Sequence, residues 1–286
     1  MNIAISQVAE CRFEHDQERT DIERARSLPW PVDYCARDRR PYRSWLGPRR
    51  QARVDRFPEW RSRAQGIRLE AGGTRSISGD CVESRQRKAT GHRFVSRGYT
   101  FLVPHRRGQG RSPGAYIMDQ LNAATSPEQR SLMLVALNEV HLQDQLGALA
   151  YLRSLPYVDQ NRLVVMGASF GGIQTMLAVE RRSGYRVAVD CSGAAQTWRG
   201  SPDLRARLTA AASKATIPVF FLQAENDYDL TPNRVLSEEV RKTGKSVQTK
   251  TYPAFGSGAQ EGHSFCWRGT DIWGPDVLKF IQDNLR

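Results

Sequence analysis

The chain has 286 residues, 40% of them hydrophobic, with 42 lysines and arginines against 30 acids and a formal charge of +12. That length buries a substantial core, no apolar stretch approaches a membrane span, and the opening "MNIAISQVAE" breaks too early for a signal sequence. The charge is diffuse, +6 on each side of position 92, with no basic helix, zinc-finger spacing or aromatic–basic motif; this excludes specific nucleic-acid recognition and leaves only weak, salt-sensitive attraction to polyanions.

Residues 1–92 carry 18 arginines and contain no run of four apolar residues and no sustained period. Trp30, Trp45 and Trp60 stand isolated among arginines. The segment is expected to be an atypical, poorly ordered extension, in which "GIRLEAG" (Gly66 to Gly72) is the one passable strand. Cys11, Cys35, Cys81, Cys191 and Cys266 lack paired spacing, so neither a disulfide framework nor a zinc site is expected, and the default is a soluble, cytoplasmic protein.

From residue 93 to 286 the pattern changes. A helical "GHRFVSRG" precedes the short strand "YTFLV". A long helix follows Ser126, with Leu142, Leu146, Leu149 and Leu152 on one face. Then come the strands "RLVVM", "YRVAVD", "IPVFFL" and "VQTKTY", separated by helical segments, and a last helix "DVLKFIQDNL". Short apolar strands alternating with helices predict an α/β domain: a mostly parallel sheet with helices on both faces.

Within "RLVVMGASFGG" a strand gives way to Gly167-Ala168-Ser169-Phe170-Gly171 and then to a helix. A serine hydroxyl is a weak nucleophile and must project from a sharp turn to meet a base and a carbonyl together. The turn strains the serine, and small residues two before and two after let strand and helix approach. The following helix aims its positive end at the site, and the Phe170 amide is placed to donate to a developing oxyanion.

A base and an acid follow in order. Of the five histidines, only His263 lies beyond the later strands, in the loop-like "GSGAQEGHSF". The stretch after "PVFFL" offers Asp227 as first choice of acid, Asp229 as second and Glu225 as third, to orient His263. Arg106 and Arg107 follow "YTFLV" at its carboxyl end, where such sheets keep their sites; they suit either a substrate carboxylate or structural acids. Trp198 and Phe170 are placed as pocket or core aromatics. Cys266, near His263, reads as incidental.

Residues 93–286 resemble the dienelactone hydrolase family of α/β-hydrolases, in the serine-bearing branch related to prolyl oligopeptidase-like peptidases. The stretches that carry the resemblance are "RGYTFLVPHRRGQGRSPG", "LPYVDQNRLVVMGASFGG", "PVFFLQAENDYDLTP" and "GHSFCWRGTDIWGPDVLKFI". It implies Ser169 as nucleophile, Asp227 as acid and His263 as base, acting on a small ester or peptide with no cofactor or metal. The family also has a central strand before "YTFLVP", followed by an "HG"-rich loop that supplies a second oxyanion amide. Neither is legible here. Either "GIRLEAG" fills the gap, the flanking strands pair directly, or the fold is compromised. A non-family origin for residues 1–92 would leave a catalytically impaired remnant.

Overall fold

The computed structural model describes residues 3–8, 53–56, 65–69, 90–109 and 112–285, the first three spans as backbone strands. The isolated tryptophans and most of the arginine-rich stretch lie outside the described residues. The described strands are β1 (Ile3–Val8), β2 (Arg53–Arg56), β3 (Gln65–Leu69), β4 (Tyr99–His105), β5 (Leu163–Ala168), β6 (Tyr185–Cys191), β7 (Val219–Ala224) and β8 (Val247–Tyr252). They form one sheet in the order β2-β3-β4-β1-β5-β6-β7-β8. From β4 to β8 every pairing is parallel; β2 and β3 add an antiparallel edge.

The helices are α1 (Ile117–Asn122), α2 (Pro127–Ser154), α3 (Phe170–Val179), α4 (Pro202–Ala212), α5 (Thr231–Lys242), α6 (Ala259–Arg268) and α7 (Thr270–Asn284), with a short turn of helix at 90–95. Parallel strands covered on both faces are apolar at successive positions, and the two faces divide the side chains between them. Leu102, Leu163, Val165, Ala188 and Phe221 pack with α2, α3, α4 and α5. Phe101, Val103, Val164, Met166, Val187 and Phe220 pack with Phe94, Phe265, Trp273 and Ile281 on the other side. Helix α2 starts where Ser126 accepts the Gln129 N–H at 3.1 Å and Pro127 takes a first-turn position in which no N–H is needed. Leu142, Leu149 and Leu152 are buried beneath it. Among the described residues no helix is long and apolar enough to cross a membrane.

Two expectations need correcting. The central place is taken by β1, which pairs Ile5 with Phe101 on one side and with Val164 on the other. "GIRLEAG" overlaps β3 instead, antiparallel to β4 and three places from β5. The segment "IAISQV" offers only three successive apolar residues before Ser6 and Gln7, so it fails a test for buried runs, although hydrogen bonding to two neighbours is what holds a central strand. The cysteine reading also changes, because Cys191 and Cys266 are joined in a disulfide across 75 residues. No local spacing reveals such a pair; the sheet brings the end of β6 beside the helix that follows β8.

Candidate functional site

Strand β5 ends at Ala168 and α3 begins at Phe170, which leaves a single residue to reverse the chain. Ser169 does so at φ 56° and ψ −117°, a conformation costly for any residue with a Cβ and kept only where the surroundings enforce it. Its N–H donates to the Cys191 carbonyl at 3.0 Å. A Cβ at Gly167 would lie 1.9 Å from the Gly171 carbonyl oxygen, so the strand and helix close on each other only because residue 167 has none.

The three residues chosen from the order along the chain meet at the carboxyl end of the sheet. The His263 Nε2 is 2.9 Å from Ser169 Oγ, and its Nδ1 is 2.8 Å from Asp227 Oδ1. All three are buried, with 6, 4 and 9% exposure for Ser169, His263 and Asp227, so the hydrogen bonds work in a medium less screening than water. Asp227 Oδ1 also accepts the Tyr228 N–H at 2.7 Å. The imidazole is flanked edge-on by Tyr228 and Trp267, with ring centroids 5.5 and 5.8 Å away.

The other acids are engaged elsewhere. Asp229 accepts the Thr231 N–H at 2.9 Å at the start of α5 and the Arg199 Nε at 3.1 Å. Burial opposes its ionisation, but the bonds from Thr231 and Arg199 outweigh that and hold its carboxyl below the usual range. Glu225 is exposed.

His263 stands on α6 rather than in a loop. The loop ends at Gly258, and the glycine at 262 answers to a close approach: a Cβ there would fall 2.6 Å from the Asn226 carbonyl oxygen. Asn226 itself joins the acid-bearing loop to the segment that leads into α6. Its Nδ2 donates to the Gly258 carbonyl at 3.1 Å, and its Oδ1 accepts the Phe255 N–H at 2.9 Å. Only the position of Asn226 beside Asp227 hints at this role along the chain.

Arg107 forms a two-pronged ion pair with Asp144, Nε to Oδ2 at 2.9 Å and Nη2 to Oδ1 at 2.7 Å. Arg106 is wholly buried; its Nη1 is 3.3 Å from His141 Nδ1 and its guanidinium carbon lies 5.6 Å from the centre of the Phe170 ring. Burial, with Arg106 adding to it, pushes His141 down to about 3, so that imidazole stays neutral. Trp198 is buried in the α2–α5 core. Arg106 has no exposed surface and Trp198 is 5% exposed. The segment after β1, where a second oxyanion donor was expected, lies outside the described residues.

One buried group went unnoticed in the sequence. Asp190, on β6 in register with Gly167, is fully enclosed, and burial pushes its carboxyl up to about 7 against a hydrogen bond from the Gly193 N–H at 2.9 Å. Gly172 and Gly193 leave it room: a Cβ at either would come within 2.4 Å of its Oδ1. A carboxyl that holds its proton far above the usual carboxylate range therefore fills the space beneath the first turn of α3.

The model of the dienelactone hydrolase family matches residues 79–273. No curated protein matches the chain. Solved structures share the fold at low identity. Est1E from Butyrivibrio proteoclasticus, solved with ferulic acid, is 16% identical with a TM-score of 0.54, over 78% of this chain and 95% of that one. The Pyrococcus furiosus esterase Pf2001 is 13% identical with a TM-score of 0.55, over 83% and 94%. An acylaminoacyl peptidase from Pyrococcus horikoshii is 15% identical with a TM-score of 0.54, over 82% and 41%. The chain spans little more than a third, 36%, of a dipeptidyl aminopeptidase IV-type structure from Bacteroides ovatus.

Proposed function

Since the chain belongs to the dienelactone hydrolase family of α/β-hydrolases, we propose that it is a serine hydrolase that cleaves small carboxylic esters through an acyl-enzyme, with Ser169, His263 and Asp227 as its triad. The observation that carries this reading is the unbroken hydrogen-bonded run from Ser169 Oγ through both nitrogens of His263 to Asp227.

With Nδ1 protonated and donating to Asp227, Nε2 of His263 is the basic nitrogen and faces the serine hydroxyl. The hydroxyl proton passes to Nε2 as Oγ bonds to the ester carbonyl carbon, whose oxygen becomes an oxyanion. The Phe170 N–H, at the first position of α3 where no intrahelical acceptor exists, donates to that oxyanion. Collapse breaks the bond to the alcohol oxygen, which leaves with the proton from Nε2. Water then repeats the cycle: Nε2 takes its proton, its oxygen bonds to the acyl carbon, and the acid departs as the proton returns to Ser169. Asp227 stabilises the imidazolium in both halves.

A peptidase is the second reading, favoured by the fold likeness to acylaminoacyl peptidase. The ester reading is placed first because a lactone, the bond type for which the matched family is named, is a cyclic ester. The test is labelling by a fluorophosphonate probe, expected on the wild type and absent from Ser169→Ala. A panel of p-nitrophenyl esters and peptide anilides then ranks the two bond types; turnover confined to anilides would overturn the ester preference.

A further inference from the structure

We propose that the Cys191–Cys266 disulfide is the positioning element that holds His263 in reach of Ser169. The proposal rests on reading those two residues as base and nucleophile. Cys191 is the last residue of β6, and its carbonyl accepts the Ser169 N–H; it is the backbone partner of the residue expected to attack. Cys266 stands three residues after His263 on α6, on the same helical face one turn along. Both cysteines are wholly buried. The crosslink therefore runs from the acceptor of the serine's own amide to the turn of helix that carries the imidazole.

The rest of the support for α6 is non-covalent. Glu261 in its first turn accepts the Ser257 N–H at 2.7 Å, and the Trp273 indole N–H donates to the Phe265 carbonyl at 3.2 Å. Phe265 packs against Tyr252 and Phe255, with ring centroids 4.9 and 5.5 Å away; such apolar contacts resist removal of the helix but tolerate sliding and rotation of it. One residue of rotation turns a helix by about 100°, and a displacement of about 1 Å at a reacting pair costs as much as 100-fold in rate. A covalent bond at the third residue past His263 blocks both movements. The Ser192 Oγ, 3.1 Å from the Cys266 sulfur, lies against the same junction.

The crosslink is checked first by non-reducing peptide mapping, where a peptide joining residues 191 and 266 is expected; recovery of both Cys191 and Cys266 alkylated after denaturation without reductant would overturn the proposal. The functional test compares wild type with Cys191→Ala/Cys266→Ala on p-nitrophenyl butyrate, below the melting temperature of both. A kcat lower by roughly 10- to 100-fold with KM within about twofold is expected; equal kcat in the two folded proteins would overturn it. Because the alanine pair also loses packing, wild type refolded under dithiothreitol is assayed before and after reoxidation. Dithiothreitol supplies two electrons and two protons to the sulfurs and closes to its own cyclic disulfide. Here kcat is expected to return on reoxidation with side chains unchanged, and a reduced, folded enzyme with full kcat would overturn the proposal even if the alanine pair does not fold. Fluorophosphonate labelling of wild type and Ser169→Ala runs alongside: Ser169-dependent labelling with no crosslink effect removes this inference alone, whereas absence of labelling from wild type removes the hydrolase reading and this inference with it.

Discussion

Ser169 and His263 meet at 2.9 Å, yet the two sides of that hydrogen bond are built differently. On the serine side, β5 and the whole of α3 are buried, and the turn between them is a single strained residue flanked by glycines. Its sterics follow from neighbours within a few positions, and its distant backbone partner is the Cys191 carbonyl that accepts its N–H. On the histidine side, Asp227 and His263 sit 36 residues apart on a loop and a half-exposed helix, held by Asn226, a disulfide and aromatic edges. Ser169 is placed by local sterics and His263 by long-range stitches, so damage to the first is expected to cost folding and, on the proposed function, damage to the second to cost turnover.

The sharpest break falls on the serine side. Gly167→Ala places a methyl 1.9 Å from a backbone oxygen that cannot swing away, and a loss above about 4 kcal/mol is expected, seen as no soluble folded protein or a collapsed urea midpoint. A normal midpoint would show that the elbow has slack.

Asp190 comes next, on the same side. Its carboxyl is raised to about 7 in the folded state from an ordinary 3.8, so the native protein keeps a proton that the unfolded chain releases. Its contribution is therefore greatest below about pH 4 and is lost as the pH rises through about 7, by a few kcal/mol in all. Asp190→Asn keeps the shape without the charge, and its melting temperature is expected to fall less than that of wild type between pH 4 and 8. Parallel melting curves would mean that Asp190 is ionised at no cost.

The histidine side answers in a different currency. In Gly262→Ala the new methyl meets the Asn226 carbonyl 2.6 Å away and displaces α6. About 1–3 kcal/mol of stability is expected to go, with a kcat loss larger than that implies and KM little changed. The mildest is Asn226→Ala, which frees the Phe255 N–H and the Gly258 carbonyl. About 1–2 kcal/mol is expected from denaturant unfolding, together with a severalfold fall in kcat. If stability and kcat fell in the same proportion in both variants, the distinction between the two sides would fail.

The same division explains what could be read before any coordinates. Strands β4 to β7 are legible because parallel strands buried on both faces leave unbroken apolar runs. The serine turn is legible because the steric demand of an elbow falls on residues two positions away. The choice of Asp227 over Asp229 is not a pattern effect; Asp229 is taken up by Thr231 and Arg199, and nothing local announces that. His263 reads as a loop residue because Gly256, Gly258 and Gly262 cluster near it, although Gly262 is there to clear Asn226. β1 is illegible for a related reason, since its place is secured by ladders to β4 and β5 rather than by its own hydrophobicity.

From its residues alone this chain determined an α/β sheet and a strained serine at the end of one strand, because both depend on interactions a few positions long. Only the tertiary structure decided which strand fills the middle of the sheet, which carboxylate faces the imidazole, that Cys191 and Cys266 pair, and that Asp190 is sealed beneath the elbow. Those outcomes depend on partners tens of residues away, whose meeting is set by strand order, and no window along the chain contains both members of the pair.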